Sequence, residues 1–127
     1  MPDVRPPDAP SILLVDDDDA FRSVLARSLR NRGYDVRVAA THEEALASVR
    51  LAPPLYAIID VRMPGRSGVE LVEALKRAHP TTTVVVLTGD RSEGVIAAVG
   101  RSGASYLAKP ADTDEIVAAL ERGAGAS

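Results

Sequence analysis

The stretch Ile12-Leu13-Leu14-Val15-Asp16-Asp17-Asp18-Asp19 sets an apolar run directly against four consecutive aspartates. An apolar run without polar alternation reads as a strand covered on both faces, as in a parallel sheet. Four carboxylates in a row at the end of such a strand repel one another and resist desolvation. They persist where a cation or a helix N-terminus compensates them. An isolated acidic run would be a solvated turn. At a buried strand end it points instead to a hard cation such as Mg²⁺, held by oxygen ligands from one or two carboxylates plus a phosphate.

The same alternation continues outward from this stretch. Strands are expected at Ile12–Asp16, Asp35–Ala39, Tyr56–Asp60, Val84–Thr88 and Ser105–Ala108, with Ala57–Ile59 and Val84–Leu87 again unbroken apolar runs. Helical patterns lie between them. Phe21, Val24, Leu25, Ser28 and Leu29 form an i, i+3, i+4 stripe, and Gly33 marks its stop. Thr41-His42-Glu43-Glu44 and Ser67-Gly68-Val69-Glu70 are capping-box signatures, the first helix ending before Pro53-Pro54 and the second at His79-Pro80. A fourth helix, over about 91–102, carries Gly94 and Gly100, each costing roughly 1 kcal/mol relative to Ala, and is expected to be short or mobile. Asp112-Thr113-Asp114-Glu115 caps a fifth, which bears Ile116, Val117 and Leu120. Five βα units in succession call for a doubly wound α/β sandwich with a five-stranded parallel sheet flanked by five helices.

Bulk properties narrow the function. A chain of 127 residues supports one core, and zero cysteines exclude disulfides and thiolate metal sites. No apolar run is long enough to span a bilayer, and the first residues lack the basic and apolar regions of a signal peptide, so a cytoplasmic place and no membrane association are expected. A net charge of −3 offers no electrostatic footprint for nucleic acid. Residues 1–10, rich in Pro and Asp, read as a flexible tail, 11–122 as the folded domain, and 123–127 as a C-terminal tail or truncated linker.

In an open parallel sheet, ligands bind beyond the carboxyl ends of the strands. Those ends carry Asp16 and Asp17, Asp60, Thr88, and Lys109. Three acids can hold Mg²⁺, the hydroxyl and ammonium suit a phosphoryl group, and a carboxylate beside the metal can attack phosphorus to form an acyl phosphate. No Ser/His/Asp order, zinc spacing or phosphate-cradling Gly-rich loop competes. His42 and His79, at helix ends without acidic partners, read as surface residues.

Four segments in this order, Leu13-Leu14-Val15-Asp16-Asp17, Ile59-Asp60-Val61-Arg62-Met63-Pro64-Gly65, Val86-Leu87-Thr88-Gly89 and Tyr106-Leu107-Ala108-Lys109-Pro110, resemble the response-regulator receiver domain of bacterial two-component systems. The wording of Lys109-Pro110-Ala111-Asp112-Thr113-Asp114-Glu115-Ile116 is most similar to the RegA/PrrA group of redox-responding regulators. The resemblance covers about residues 11–122 and implies a flavodoxin-like receiver fold. It implies Asp60 as phospho-acceptor for a sensor histidine kinase, a phosphorelay switch rather than a turnover enzyme. It implies Mg²⁺ held directly by Asp17 and Asp60, through water by Asp16, and by the backbone carbonyl of Arg62. Thr88 and Tyr106 become the switch pair, Lys109 the phosphoryl-binding ammonium with a cis bond to Pro110. Arg62 and Asp90, each two residues beyond a site residue, are expected to pair across the pocket mouth and tune phosphoryl lifetime. Asp18 and Asp19 belong instead to the start of the first helix.

The resemblance also implies transcriptional output through a DNA-binding effector domain absent from this sequence, which is then a stand-alone or excised receiver. It admits a phosphorylation-linked dimer. One departure stands out: Lys109 follows Thr88 by 21 positions, one fewer than in the usual receiver, which bears on the face formed by helix 4, strand 5 and helix 5. Two other readings use the same residue types. A haloacid-dehalogenase-like phosphatase would need an Asp-x-Asp nucleophile motif after the first strand and a longer chain. A pseudo-receiver that binds partners without phosphorylation is opposed by the intact set Asp16, Asp17, Asp60, Thr88 and Lys109.

Overall fold

The computed structural model describes residues 9–62 and 68–125. Among them five strands alternate with five helices: β1 (Ser11–Val15), α1 (Asp19–Asn31), β2 (Asp35–Ala39), α2 (His42–Leu51), β3 (Tyr56–Ile59), α3 (Gly68–Ala78), β4 (Thr83–Thr88), α4 (Glu93–Arg101), β5 (Ser105–Ala108) and α5 (Thr113–Gly125). The strands pair in parallel in the order β2-β1-β3-β4-β5. The doubly wound expectation is met, with strand ends displaced by one residue at β1, β3 and β4.

The apolar run divides its residues by parity, because successive side chains point to opposite faces. Ile12 and Leu14 pack with Leu25, Ala26 and Leu29 of α1 and Ile116, Ala119 and Leu120 of α5. Leu13 and Val15 pack on the other face with Ala45 and Val49 of α2, Leu71, Val72 and Leu75 of α3, and Val99 of α4. Burying both faces leaves the carboxyl edge of the sheet as the place where polar side chains can gather.

Local chemistry explains the helix ends. Asp18 is the N-cap of α1, its Oδ1 accepting the Phe21 N–H at 3.0 Å. Gly33, at φ 95°, closes α1 in a Schellman arrangement with Gly33 N–H to Arg30 O and Tyr34 N–H to Leu29 O. Asp112 and Glu115 cap α5 reciprocally, each backbone N–H donating to the other's carboxylate. Thr41 caps α2 through the Glu44 N–H, but the Glu44 carboxylate reaches back to the Ala40 N–H. Ser67 of the remaining capping signature and Met63-Pro64-Gly65 lie outside the described residues.

Several expectations need correction. Val24 is 69% exposed, and Ala26 takes its place beside Leu25 and Leu29 on the packing face, while the rest of the stripe is buried or partly buried. Ser28 serves as a polar bridge, its hydroxyl 2.7 Å from that of Thr113 on α5. His42 is 6% exposed rather than on the surface, and its Nδ1 has no hydrogen-bond partner. It opens α2 and lines a groove with Glu70, Glu73, Ala74 and Arg77 of α3. Residues 123–125 continue α5 instead of forming a tail. Pro10, assigned to the N-terminal tail, accepts a hydrogen bond from the Asp35 N–H at 2.9 Å. Helix α4 is short, at nine residues, as its glycines led one to expect.

Candidate phosphoryl site at the carboxyl edge

The site forms where β1 and β3, neighbours in the sheet, end together at the point of strand-order reversal. The Asp16 N–H donates to Ala39 O and the Asp60 N–H to Val15 O, so both acids leave the sheet from pinned backbone. They are 2% and 7% exposed. Two carboxylates this buried demand a counter-charge, and Lys109 supplies it: Nζ donates to Asp16 Oδ2 at 2.8 Å and to Asp60 Oδ2 at 3.0 Å. The other oxygens are also engaged. Asp16 Oδ1 accepts the Asp18 N–H and Asp60 Oδ1 the Arg62 N–H, both at 2.9 Å. Burial pushes the Lys109 ammonium toward losing its proton, but the bonds to Asp16 and Asp60 and their charges outweigh this and hold its pKa above the ordinary lysine value.

Lys109 reaches the acids because β5 is registered on β4. Thr88 pairs with Ala108, the Lys109 N–H donates to Thr88 O at 2.9 Å, and the Lys109–Pro110 bond is cis. Four residue pairs join β4 to β5, so the shortened segment between Thr88 and Lys109 leaves this register whole. The cleft over the acids is lined by Asp16, Asp17, Asp18, Asp60, Arg62, Gly89 and Lys109. Asp17 is exposed at its rim.

Of the expected metal set, Asp16, Asp17 and Asp60 all line this cleft, although among the described residues no three acidic or histidine side chains gather closely as a metal site. The Lys109 ammonium lies between Asp16 and Asp60, and Asp17 is exposed to solvent. The donor chemistry still fits a hard divalent cation, all of it being carboxylate or carbonyl oxygen.

Thr88 is fully buried, and its Oγ1 accepts the Asp90 N–H at 3.2 Å. Tyr106 is half-buried against the α2–α3–α4 side of the core, and its hydroxyl donates to Asp90 O at 2.9 Å rather than standing in water. Asp90 and Arg62 form no ion pair. The Asp90 carboxylate instead accepts the Ser92 N–H at 3.0 Å, and that bond, with the Arg62 charge as a lesser aid, holds it below the ordinary aspartate range.

Three contributors escaped the sequence reading. Phe21 places its ring 4.1 Å from Lys109 Nζ. The Arg91 guanidinium donates to Lys109 O at 3.0 Å. Gly68 packs so closely that a Cβ there would lie 2.4 Å from Val61 Cα and 2.7 Å from Asp60 O. Gly68 was visible only as part of a capping signature, and Phe21 only as a member of an apolar stripe.

This constellation of paired buried acids, a bridging lysine and a strand-end threonine defines a class, and residues 12–121 match the response regulator receiver domain family. The chain belongs to that family. It is 43% identical over 111 residues to the photosynthetic apparatus regulatory protein RegA of Rhodobacter capsulatus, covering 87% of this chain and 60% of that one. The similarity to the RegA group is thereby borne out, and the chain spans about three-fifths of that relative's length. Among solved structures it is similar to a CheY-like receiver domain protein from Methanospirillum hungatei, with TM-score 0.88, 28% identity, and coverage of 93% of this chain and 95% of that one. It is also similar to a response regulator from Burkholderia pseudomallei bearing a phosphorylated aspartic acid, a calcium ion and citrate, with TM-score 0.86, 35% identity, and coverage of 91% and 69%. The chain is thus a receiver domain of the response-regulator family. No helix among the described residues is long and apolar enough to cross a membrane.

Proposed function

We propose that Asp60 accepts a phosphoryl group from the phosphohistidine of a cytoplasmic sensor histidine kinase. The observation that carries this reading is the Lys109 ammonium bridging two buried carboxylates at adjacent strand ends. An Asp60 oxygen attacks phosphorus, the P–N bond breaks, and its electron pair stays on the kinase imidazole. Lys109, released from its double ion pair, then donates to the phosphoryl oxygens, and the Thr88 hydroxyl turns from the Asp90 N–H to do the same.

A divalent cation, Mg²⁺ in our reading, would be held by Asp17, Asp60 and the Arg62 carbonyl, with Asp16 acting through water. When bound it neutralises charge gathering on the transferring group. The Burkholderia pseudomallei relative, with its phosphorylated aspartic acid and calcium ion, supports both the acceptor chemistry and the hard-cation preference. Water hydrolyses the acyl phosphate along a path bordered by Arg62 and Asp90. The switch population then returns to its resting state. Output is transcriptional, through an effector region corresponding to the part of the RegA-type regulator that this chain does not span; the receiver itself does not touch nucleic acid.

The test is labelling with acetyl phosphate, with and without Mg²⁺, comparing wild type with Asp60→Asn. Stoichiometric, Mg²⁺-dependent labelling that vanishes in Asp60→Asn is expected. Undiminished labelling of the variant overturns the assignment.

A further inference from the structure

The receiver reading accounts for what Lys109 does but not for what holds it. Its side chain is long, and its ammonium must sit between two acids without collapsing permanently onto either. Phe21 is the chain's single phenylalanine, in a protein with 3% aromatic residues. It stands in the first turn of α1 with its ring face 4.1 Å from Lys109 Nζ, while the rest of the ring packs against the α1–α5 core. A cation this near a ring centroid is attracted by the negative face of the π system, more so when partly desolvated.

The contact closes a circuit of four residues. Lys109 Nζ donates to Asp16 Oδ2. Asp16 Oδ1 accepts the Asp18 N–H. Asp18 Oδ1 caps α1 by accepting the Phe21 N–H. The Phe21 ring returns to Lys109. Each member orients the next, so the helix cap and the acid site are one structure.

We propose that Phe21 is a positioning residue that seats the Lys109 ammonium on its ring face. The proposal rests on the phospho-acceptor reading and deepens it. A carboxylate partner is lost to Lys109 whenever a cation or phosphoryl group enters the cleft. The ring competes for neither and keeps the ammonium at the same place. Asp18 thereby acts on the site through the ring it anchors.

Because Phe21 is the one phenylalanine, biosynthetic incorporation of 4-fluoro- and 3,4,5-trifluorophenylalanine alters this ring alone. Fluorination drains the negative face in steps at nearly constant size. Two readouts are taken on protein whose urea midpoint is unchanged: the NMR order parameter of the Lys109 ammonium without any phosphodonor, and the rate of labelling by acetyl phosphate with Mg²⁺. Order is expected to fall stepwise, and labelling to slow by about threefold or more across the series. Phe21→Leu should fall at or beyond the trifluoro protein, and Phe21→Trp should recover most of the loss. An unmoved Lys109 order parameter in the trifluoro protein overturns the seat, as does a labelling rate equal to that of the unsubstituted chain. If Asp60→Asn labels like wild type, the acceptor reading falls instead, and the order parameter alone decides the seat.

Discussion

The carboxyl edge of the sheet has two halves held by different physics. On the β1–β3 half, Asp16 and Asp60 are nearly inaccessible, their backbones are pinned in the sheet, and all four carboxylate oxygens are hydrogen-bonded. On the β4–β5 half, the loop after Thr88 is held by single bonds: Thr88 to the Asp90 N–H, Tyr106 to Asp90 O, and Arg91 to Lys109 O. A buried ion pair is costly to break, because removing one partner strands the other charge. A single hydrogen bond contributes about 1 kcal/mol net and exchanges readily. The first half is therefore the costlier to displace. Helix α4 belongs to the second half: nine residues, two of them glycine, with Val99 its buried residue.

The hardest blow to the rigid half is Lys109→Met, which leaves two facing carboxylates without a cation. It should cost about 3 kcal/mol in urea denaturation at pH 7, less at acid pH where the carboxylates protonate. The folded-state pKa of Lys109 is raised, so its stabilisation is present in full below the ordinary lysine value of about 10.4. It is lost as pH climbs through the folded value, and the two stability curves should converge in strong alkali. A loss under about 1 kcal/mol at neutral pH would erase the contrast between the halves.

Gly68→Ala attacks the same half through its backbone. Its Cβ has to displace Val61 Cα and the Asp60 carbonyl, both main-chain atoms. About 2 kcal/mol of stability should go, with slower acetyl-phosphate labelling because the acceptor itself is moved. Full activity here would mean that the β3–α3 junction yields more easily than its packing implies.

Tyr106→Phe removes one bond from the β4–β5 half and should cost about 1 kcal/mol or less. Its effect should appear in hydrogen exchange, as faster exchange confined to the loop between β4 and α4. Faster exchange in β1 or β3 would mean the halves are not separable.

The smallest effect is expected from Asp90→Ala, which should change the acyl-phosphate lifetime by somewhat more than twofold; a change within about twofold removes Asp90 from the hydrolysis path. Its pH signature is opposite to that of Lys109. The Asp90 carboxyl is held low by the Ser92 N–H, so this bond is intact above the ordinary aspartate value and is lost as pH falls through the depressed one. A carboxyl titration at or above about 3.9 would contradict the bond.

Arg62 and Asp90 show how far the resemblance alone reaches. Their expected pairing came from the receiver resemblance at these positions, and of the two only Arg62 is among the residues lining the cleft. Yet the Asp90 carboxylate was nearer to a backbone N–H two residues on, and a local bond of that kind forms with less ordering of flexible side chains. The metal set is similar. Asp16, Asp17 and Asp60 were legible as hard oxygen donors, but the cation lying between two of them here is the Lys109 ammonium.

By itself, the order of apolar runs, caps and breakers determined the five βα units, and with them which residues end up at the carboxyl edge. Strand periodicity and capping are local, so they are written in consecutive residues. The division of the four aspartates was determined in the same way: Asp16 belongs to a strand end, and Asp18 and Asp19 to a helix start. What only the tertiary structure decided is which groups touch. Lys109 meets Asp16 across 93 positions and Phe21 on α1, Gly68 presses on the backbone of Asp60, and His42 is buried although its flanking sequence reads as surface. Those contacts depend on crossover packing between elements distant in the chain, and no pattern within a single segment encodes them.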